Sequence, residues 1–158
     1  MPSLSPGTPG AKEAYGISII RDDLSIKIPP KALNRYGLSD NDIVLLCTTR
    51  IGEGGFGILN KEKAYKSVFK TVIDKIDKLN SIFYIKSKAY ALTEIIEGKV
   101  LFTEQLLEAF NLKKGDRLLV IKSTTVSMSY SPVEVWKRKF EQRGFFEAVE
   151  NMKKLEEF

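Results

Sequence analysis

Ile26 to Leu46 reads IKIPPKALNRYGLSDNDIVLL, and 74 residues later Val100 to Val120 reads VLFTEQLLEAFNLKKGDRLLV. These two stretches decide the fold, because the second is a reworked copy of the first. Identity is confined to four pairs, Leu33/Leu107, Leu38/Leu112, Asp42/Asp116 and Leu45/Leu119. What the other exchanges preserve is backbone chemistry. Gly37 is replaced by Asn111, and Asn41 by Gly115. Gly and Asn are the residues that take positive φ most readily, so both copies are expected to bend twice at matching places. Gly37 and Asn111 are then the left-handed residues that end a short helix. Leu33 and Leu107 fall at C3 and Leu38 and Leu112 at C″, the apolar pair of a Schellman-type cap. Pro30 suits a first helical turn and pushes Pro29 out of helical φ/ψ, while Thr103 stands at the equivalent place as an N-cap. Each copy reads as strand, one or two helical turns over about 30–36 (104–110), polar turn, strand.

The similarity extends outward. Ala14-Tyr15-Gly16-Ile17-Ser18 matches Ala89-Tyr90-Ala91-Leu92-Thr93 at a spacing of 75, which places a one-residue difference in the turn between the first two strands. Gly57-Ile58-Leu59-Asn60-Lys61 and Val133-Glu134-Val135-Trp136-Lys137 are aligned at a spacing of 76 as short apolar runs opening charged helices. The expected fold is α+β: two ββαβ repeats, each followed by a helix, completing one another in a single barrel-like core. Residues 1–13, with three prolines, two glycines and two serines, read as a flexible leader; 14–80 form the first repeat and helix, and 81–158 the second.

Composition narrows the function. The chain has 158 residues, 43% of them hydrophobic, enough for a sizeable core. It has no histidine and one cysteine, Cys47, which excludes Ser-His and Cys-His nucleophiles and the usual transition-metal sites. No convergent pair of catalytic side chains stands out, so neither an enzyme, a metal nor a cofactor is expected. No apolar run approaches ~18 residues and no signal pattern opens the chain, so a cytoplasmic protein without a membrane span is expected. Twenty-five Lys and Arg against twenty Asp and Glu give +5, a basic excess compatible with nucleic acid.

Gly52-Glu53-Gly54-Gly55-Phe56-Gly57 is a literal G-x-G-x-x-G. A phosphate-cradling loop needs a helix opening at the loop itself, whereas here a short strand precedes Asn60 as N-cap, so the stretch reads as a hairpin loop. Lys61 to Leu79 carries an apolar stripe at helical spacing and predicts one amphipathic helix with a lysine-rich outer face. Ile82 to Ile96 predicts one long or two short strands, with Lys86 and Lys88 on one side by alternation. Trp136 to Phe158 predicts a mostly helical segment with an interruption at Gly144. Its Trp136, Phe140, Phe145 and Phe146 form a broad apolar surface, read either as packing on the chain's own core or as a subunit interface.

Laid side by side, the two cores resemble the AbrB/SpoVT swapped-hairpin class of transcription factors, in particular the MraZ type with two copies in one chain. The resemblance covers residues 14 to about 145. IKIPPKAL with the following Leu38–Leu46 run, GKVLFTEQLLEAFNLKKGDRLLVI, and Val133-Glu134-Val135-Trp136 before a charged helix are similar to the family pattern in order and spacing. The resemblance implies an oligomeric regulator that contacts double-stranded DNA through basic residues near the Gly-basic pair of the strand turn. That pair is Gly98-Lys99 in the second copy; Leu24-Ser25 stands there in the first. Candidates near the implied surface are Arg21, Lys27, Lys86, Lys88 and Lys99. The rival expectation, motivated by scarce arginines and the aromatic C-terminal segment, is a protein-interaction or oligomerisation module that kept the fold and lost DNA binding.

Overall fold

The computed structural model describes residues 13–49 and 53–158. The expected leader, up to residue 12, and Gly52 of the glycine loop lie outside the described residues. The fold is α+β. In chain order the elements are β1 (Ala14–Ile19), β2 (Ser25–Lys27), α1 (Pro30–Arg35), β3 (Ile43–Cys47), β4 (Phe56–Asn60), α2 (Lys61–Tyr65) and α3 (Lys70–Asp74). There follow β5 (Phe83–Ile85), β6 (Lys88–Glu94), β7 (Lys99–Leu101), α4 (Glu104–Ala109), β8 (Arg117–Lys122), β9 (Ser127–Pro132), α5 (Val133–Gln142) and α6 (Phe146–Lys153). Seven strands form one sheet in the order β1-β8-β9-β4-β3-β6-β5, all neighbours antiparallel, and β2 and β7 form a separate two-stranded ribbon.

Strand pairing runs across the two copies. β1 of the first pairs with β8 of the second, Ser18 opposite Leu118, and β6 pairs with β3, Thr93 opposite Val44. In the ribbon Ile26 lies opposite Val100, its own counterpart. The α1 and α4 helices end alike. Gly37 and Asn111 have φ of +62° and +56°, and Asn41 and Gly115 of +73° and +85°. Leu38 N–H donates to Leu33 C=O and Leu112 N–H to Leu107 C=O, both at 2.9 Å, which satisfies a helix-end carbonyl in each copy. At the N-termini Pro29 is extended with φ −54° and ψ 138°, and the Thr103 hydroxyl accepts from Leu106 N–H.

The sheet is buried on both faces. One face joins the ribbon, α1 and α4 around Ile26, Val44, Leu46, Phe56, Ile58, Val100, Phe110, Leu118, Val120 and Tyr130, a core drawn from both copies. At roughly 1.5–3 kcal/mol for each large apolar side chain fully buried, this is the largest stabilising term in the fold. The other face carries two separate clusters: Ala14, Ile17, Leu119 and Ile121 beneath α5 and α6, and Leu45, Leu59 and Leu92 beneath α2 and α3.

Among the described residues the hydrogen-bond ladders form a sheet and a separate ribbon, and no closed barrel is found. β1 and β2 are joined at their turn, where Arg21 N–H donates to Ser25 C=O, and β6 and β7 at the Ile96–Lys99 bridge; beyond these points the strands separate into sheet and ribbon. The long helix over 61–79 is broken into α2 and α3. At the break the Ser67 hydroxyl donates to Ala64 C=O at 2.6 Å and accepts from Phe69 N–H at 3.2 Å, local bonds that compete with the helix ladder. Val68, an apolar residue at the break, is 87% exposed. Residues 82–96 fold as a β5–β6 hairpin turning at Lys86 and Ser87, so strand alternation does not relate Lys86 to Lys88. The spacing of 76 is also corrected. Residues Val133–Lys137 are already helical, and the elements that correspond in register are β4 and β9, whose ends Asn60 and Pro132 stand 72 residues apart as helix N-caps. Finally, the chain leaves α6 and lays Glu156–Phe158 along β1, Ile17 N–H donating to Glu156 C=O and Ile19 N–H to Phe158 C=O.

Candidate nucleic-acid interface

Two hairpin turns frame the ribbon. In the second, Glu97 and Gly98 have φ of +52° and +72°, and Ile96 and Lys99 exchange both backbone hydrogen bonds at 2.9 Å, the two-residue turn whose twist matches antiparallel strands. In the first, Asp22, Asp23 and Leu24 span Arg21 to Ser25, and Leu24 takes φ +66°, the place that Gly98 fills in the other copy. The one-residue difference in spacing sits here. Phe102 N–H donates to Leu24 C=O and Ile28 N–H to Gly98 C=O, so each turn is bonded to the end of the other copy's ribbon strand.

Of the five cationic candidates, Lys27 and Lys99 are brought together. They lie directly opposite in the ribbon register, and opposed residues of an antiparallel pair share a face. Ile26 and Val100, between their neighbours, point into the core. The Lys27 backbone is fixed from beneath, its C=O accepting from Ser18 Oγ at 2.7 Å and from the Tyr130 hydroxyl at 3.3 Å. The Lys27 ammonium stands 5.6 Å from the centroid of the Phe158 ring. Arg21 is exposed at the base of the first turn. Lys86 and Lys88 are not brought to this place. They sit at the opposite end of β6, and seven residues of strand put them roughly 20 Å from the Glu97–Lys99 turn.

Reading cations alone missed the carboxylates around them. Asp23 accepts from both Ser25 Oγ, at 2.6 Å, and Ser25 N–H, at 3.0 Å. Those hydrogen bonds, with Lys99 nearby, hold its carboxyl below the ordinary range, so it is charged at neutral pH. Asp40 Oδ1 accepts from Gly98 N–H at 2.9 Å. With Asp22 and Glu97 exposed on the turns, the face is of mixed sign rather than purely basic. The signal is present in the sequence as Asp22-Asp23 and Glu97-Gly98, the residues that also form the turns. Two apolar side chains also stand out here, Ile96 at 56% and Leu101 at 55% exposure.

The aromatic candidates divide. Trp136 and Phe140 are buried under α5 against the sheet, Phe145 packs partly against the same cluster, and Phe146 is 63% exposed. Trp136 and Phe140 therefore pack in the chain's own core. The glycine loop is a packing device. A Cβ at Gly55 would lie 2.3 Å from Tyr130 C=O, and Gly55 N–H donates to Phe110 C=O. Among the described residues, no group of three or more His, Cys, Asp or Glu could hold a metal ion, and no helix is long and apolar enough to cross a membrane. Compared with known protein families and with curated proteins, the chain matches none.

Proposed function

We propose that the chain is a non-enzymatic, AbrB/MraZ-like regulator that binds duplex DNA through the β2–β7 ribbon and works as a cytoplasmic homo-oligomer. In this reading sheet and ribbon together form a swapped-hairpin barrel with an approximate twofold axis through the Ile26/Val100 pair. The observation that supports it is Lys27 directly opposite Lys99 on one side of that axis, their repeat counterparts Leu101 and Ser25 forming the pair on the other. Like charges directly opposed in a strand pair destabilise it, and a phosphate between them removes the repulsion. Oligomerisation multiplies weak lysine contacts through effective concentration. The test is fluorescence anisotropy with a mixed duplex pool at low salt. Binding is expected to weaken steeply with added salt, and Lys27→Ala or Lys99→Ala to reduce the salt slope by about 0.9 for each phosphate that is no longer neutralised. Lys86→Ala with Lys88→Ala is expected to change neither. Absence of any binding at low salt removes the proposal.

The second reading is a protein-interaction module. The carboxylates Asp22, Asp23, Glu97 and Asp40 beside exposed Ile96 and Leu101 support it, since a mixed-charge rim around apolar side chains suits a protein partner better than a polyanion. Under it, Leu101→Asp changes the oligomeric state while duplexes never bind.

A further inference from the structure

On the sheet face opposite the ribbon, between the cluster beneath α5–α6 and the cluster beneath α2–α3, lies a cleft of about 600 Å³. Its floor is β3, β4 and β9 where Gly57 pairs with Ser129. The sequence opens it. A sheet face covered by helices ordinarily carries branched apolar side chains, but β9 places Ser127, Ser129 and Ser131 there in alternation and β4 places Gly57. Phe69 and Trp136 stand at the sides. One hydroxyl is left over: Thr49 Oγ1 is enclosed without a hydrogen-bond partner. Ser131 also lines the cleft, and Ser127 is used, its hydroxyl 2.8 Å from Thr124 Oγ1. Buried polar groups in folded proteins are paired as a rule, so an idle one in the cleft wall marks the place of an absent partner. Among the described lining residues Lys122 is the one charged side chain, and no carboxylate is present.

We propose that this cleft is a binding site for a small aromatic monoanion, a carboxylate or sulfonate. Its ring lies between Phe69 and Trp136, its anionic group takes hydrogen bonds from Thr49 and Ser131, and Lys122 supplies the neutralising charge. The cleft has the volume of an ordinary ligand site, mostly apolar with a few convergent polar groups. Both copies contribute to it, so an occupant bridges the two halves. The site is independent of the ribbon and of any DNA.

The probe is anilinonaphthalene sulfonate, itself an aromatic monoanion, titrated onto the full chain. Trp136 is the sole tryptophan and lines the cleft, so its emission reports where the dye sits. The expected result is saturable one-to-one binding with quenching of Trp136. Ser129→Leu, which fills the cleft, is expected to abolish binding with the circular dichroism unchanged. Thr49→Val, isosteric but lacking the hydroxyl, is expected to weaken it about tenfold, and Lys122→Gln to weaken it and flatten its salt dependence. Non-saturable binding, binding without Trp136 quenching, binding undiminished in Ser129→Leu and Thr49→Val, or no binding overturns the proposal.

Discussion

At position 16 the first copy has no room for a side chain. Gly16 has φ +141°, and a Cβ there would stand 2.6 Å from the Phe158 ring and 2.8 Å from Glu156 C=O, whereas its counterpart in the second copy is Ala91. Gly16→Ala is expected to lower stability by about 1–3 kcal/mol in urea titration, the usual range for overpacking, and to free the 156–158 segment in amide-exchange measurements. Tyr36 binds the copies together polarly: its hydroxyl donates to Ser127 C=O at 2.9 Å and receives Tyr15 O–H at 3.4 Å. Tyr36→Phe leaves that carbonyl without its phenol and is expected to cost about 1–2 kcal/mol by denaturant titration. Burial pushes the Cys47 thiol up from 9.0 to about 11, and pushes the Tyr130 phenol above its ordinary 10.0. A folded-state pKa raised above the unfolded one supports the fold at lower pH and loses that support as pH rises. Stability is therefore expected to decline from about pH 9, first through Cys47 and above about pH 10 through Tyr130, and Cys47→Ala to remove only the earlier part. These residues show what a sequence displays. The Gly/Asn exchanges at 37/111 and 41/115 are legible because positive φ restricts residue type. The notch at Gly16 is not, because its cause is a residue 142 positions away.

At the scale of elements, local chemistry is readable and its competition with tertiary structure is not. The α1 and α4 helices, six residues each, carry their start and stop signals in the sequence, and those signals are local. One hydroxyl stands at the α2–α3 break: Ser67→Ala removes the Ala64 and Phe69 bonds and is expected to raise helicity at 222 nm, where no change would place the cause of the break elsewhere. The C-terminal strand escaped the sequence reading because three residues show no periodicity. It covers the β1 edge and is clasped by Arg117, whose two guanidinium nitrogens donate to Glu157 Oε1 at 2.8 and 2.6 Å. Both partners are about half exposed, so Arg117→Ala is expected to cost less than about 1 kcal/mol. Deleting Glu156–Phe158 is expected to cost more and to promote self-association in light scattering, since it uncovers a strand edge. The cationic site was legible only as separate residues. The repeat alignment matches Lys27 to Leu101 and Lys99 to Ser25, and it is the ribbon ladder that sets Lys27 against Lys99, while the hairpin at Lys86 and Ser87 sends Lys86 and Lys88 to the far end of β6.

At the scale of the molecule, the exchange of strands between copies is what links sequence to function. β1 depends on β8, β6 on β3, and the ribbon on one strand from each copy, so neither half holds its apolar face alone. It is this exchange that sets Lys27 against Lys99 on one face and Gly57 against Ser129 on the other. The sequence could show that two similar halves exist, but not which strand of one pairs with which strand of the other, because pairing is non-local. The direct measurement is to insert a protease site in the exposed stretch between α3 and β5, at Lys78–Asn80, and cut the folded chain there. The expected result is that the two fragments elute together without denaturant at the size of the intact chain and unfold in a single transition. Two fragments that separate while each stays folded and monomeric would contradict it.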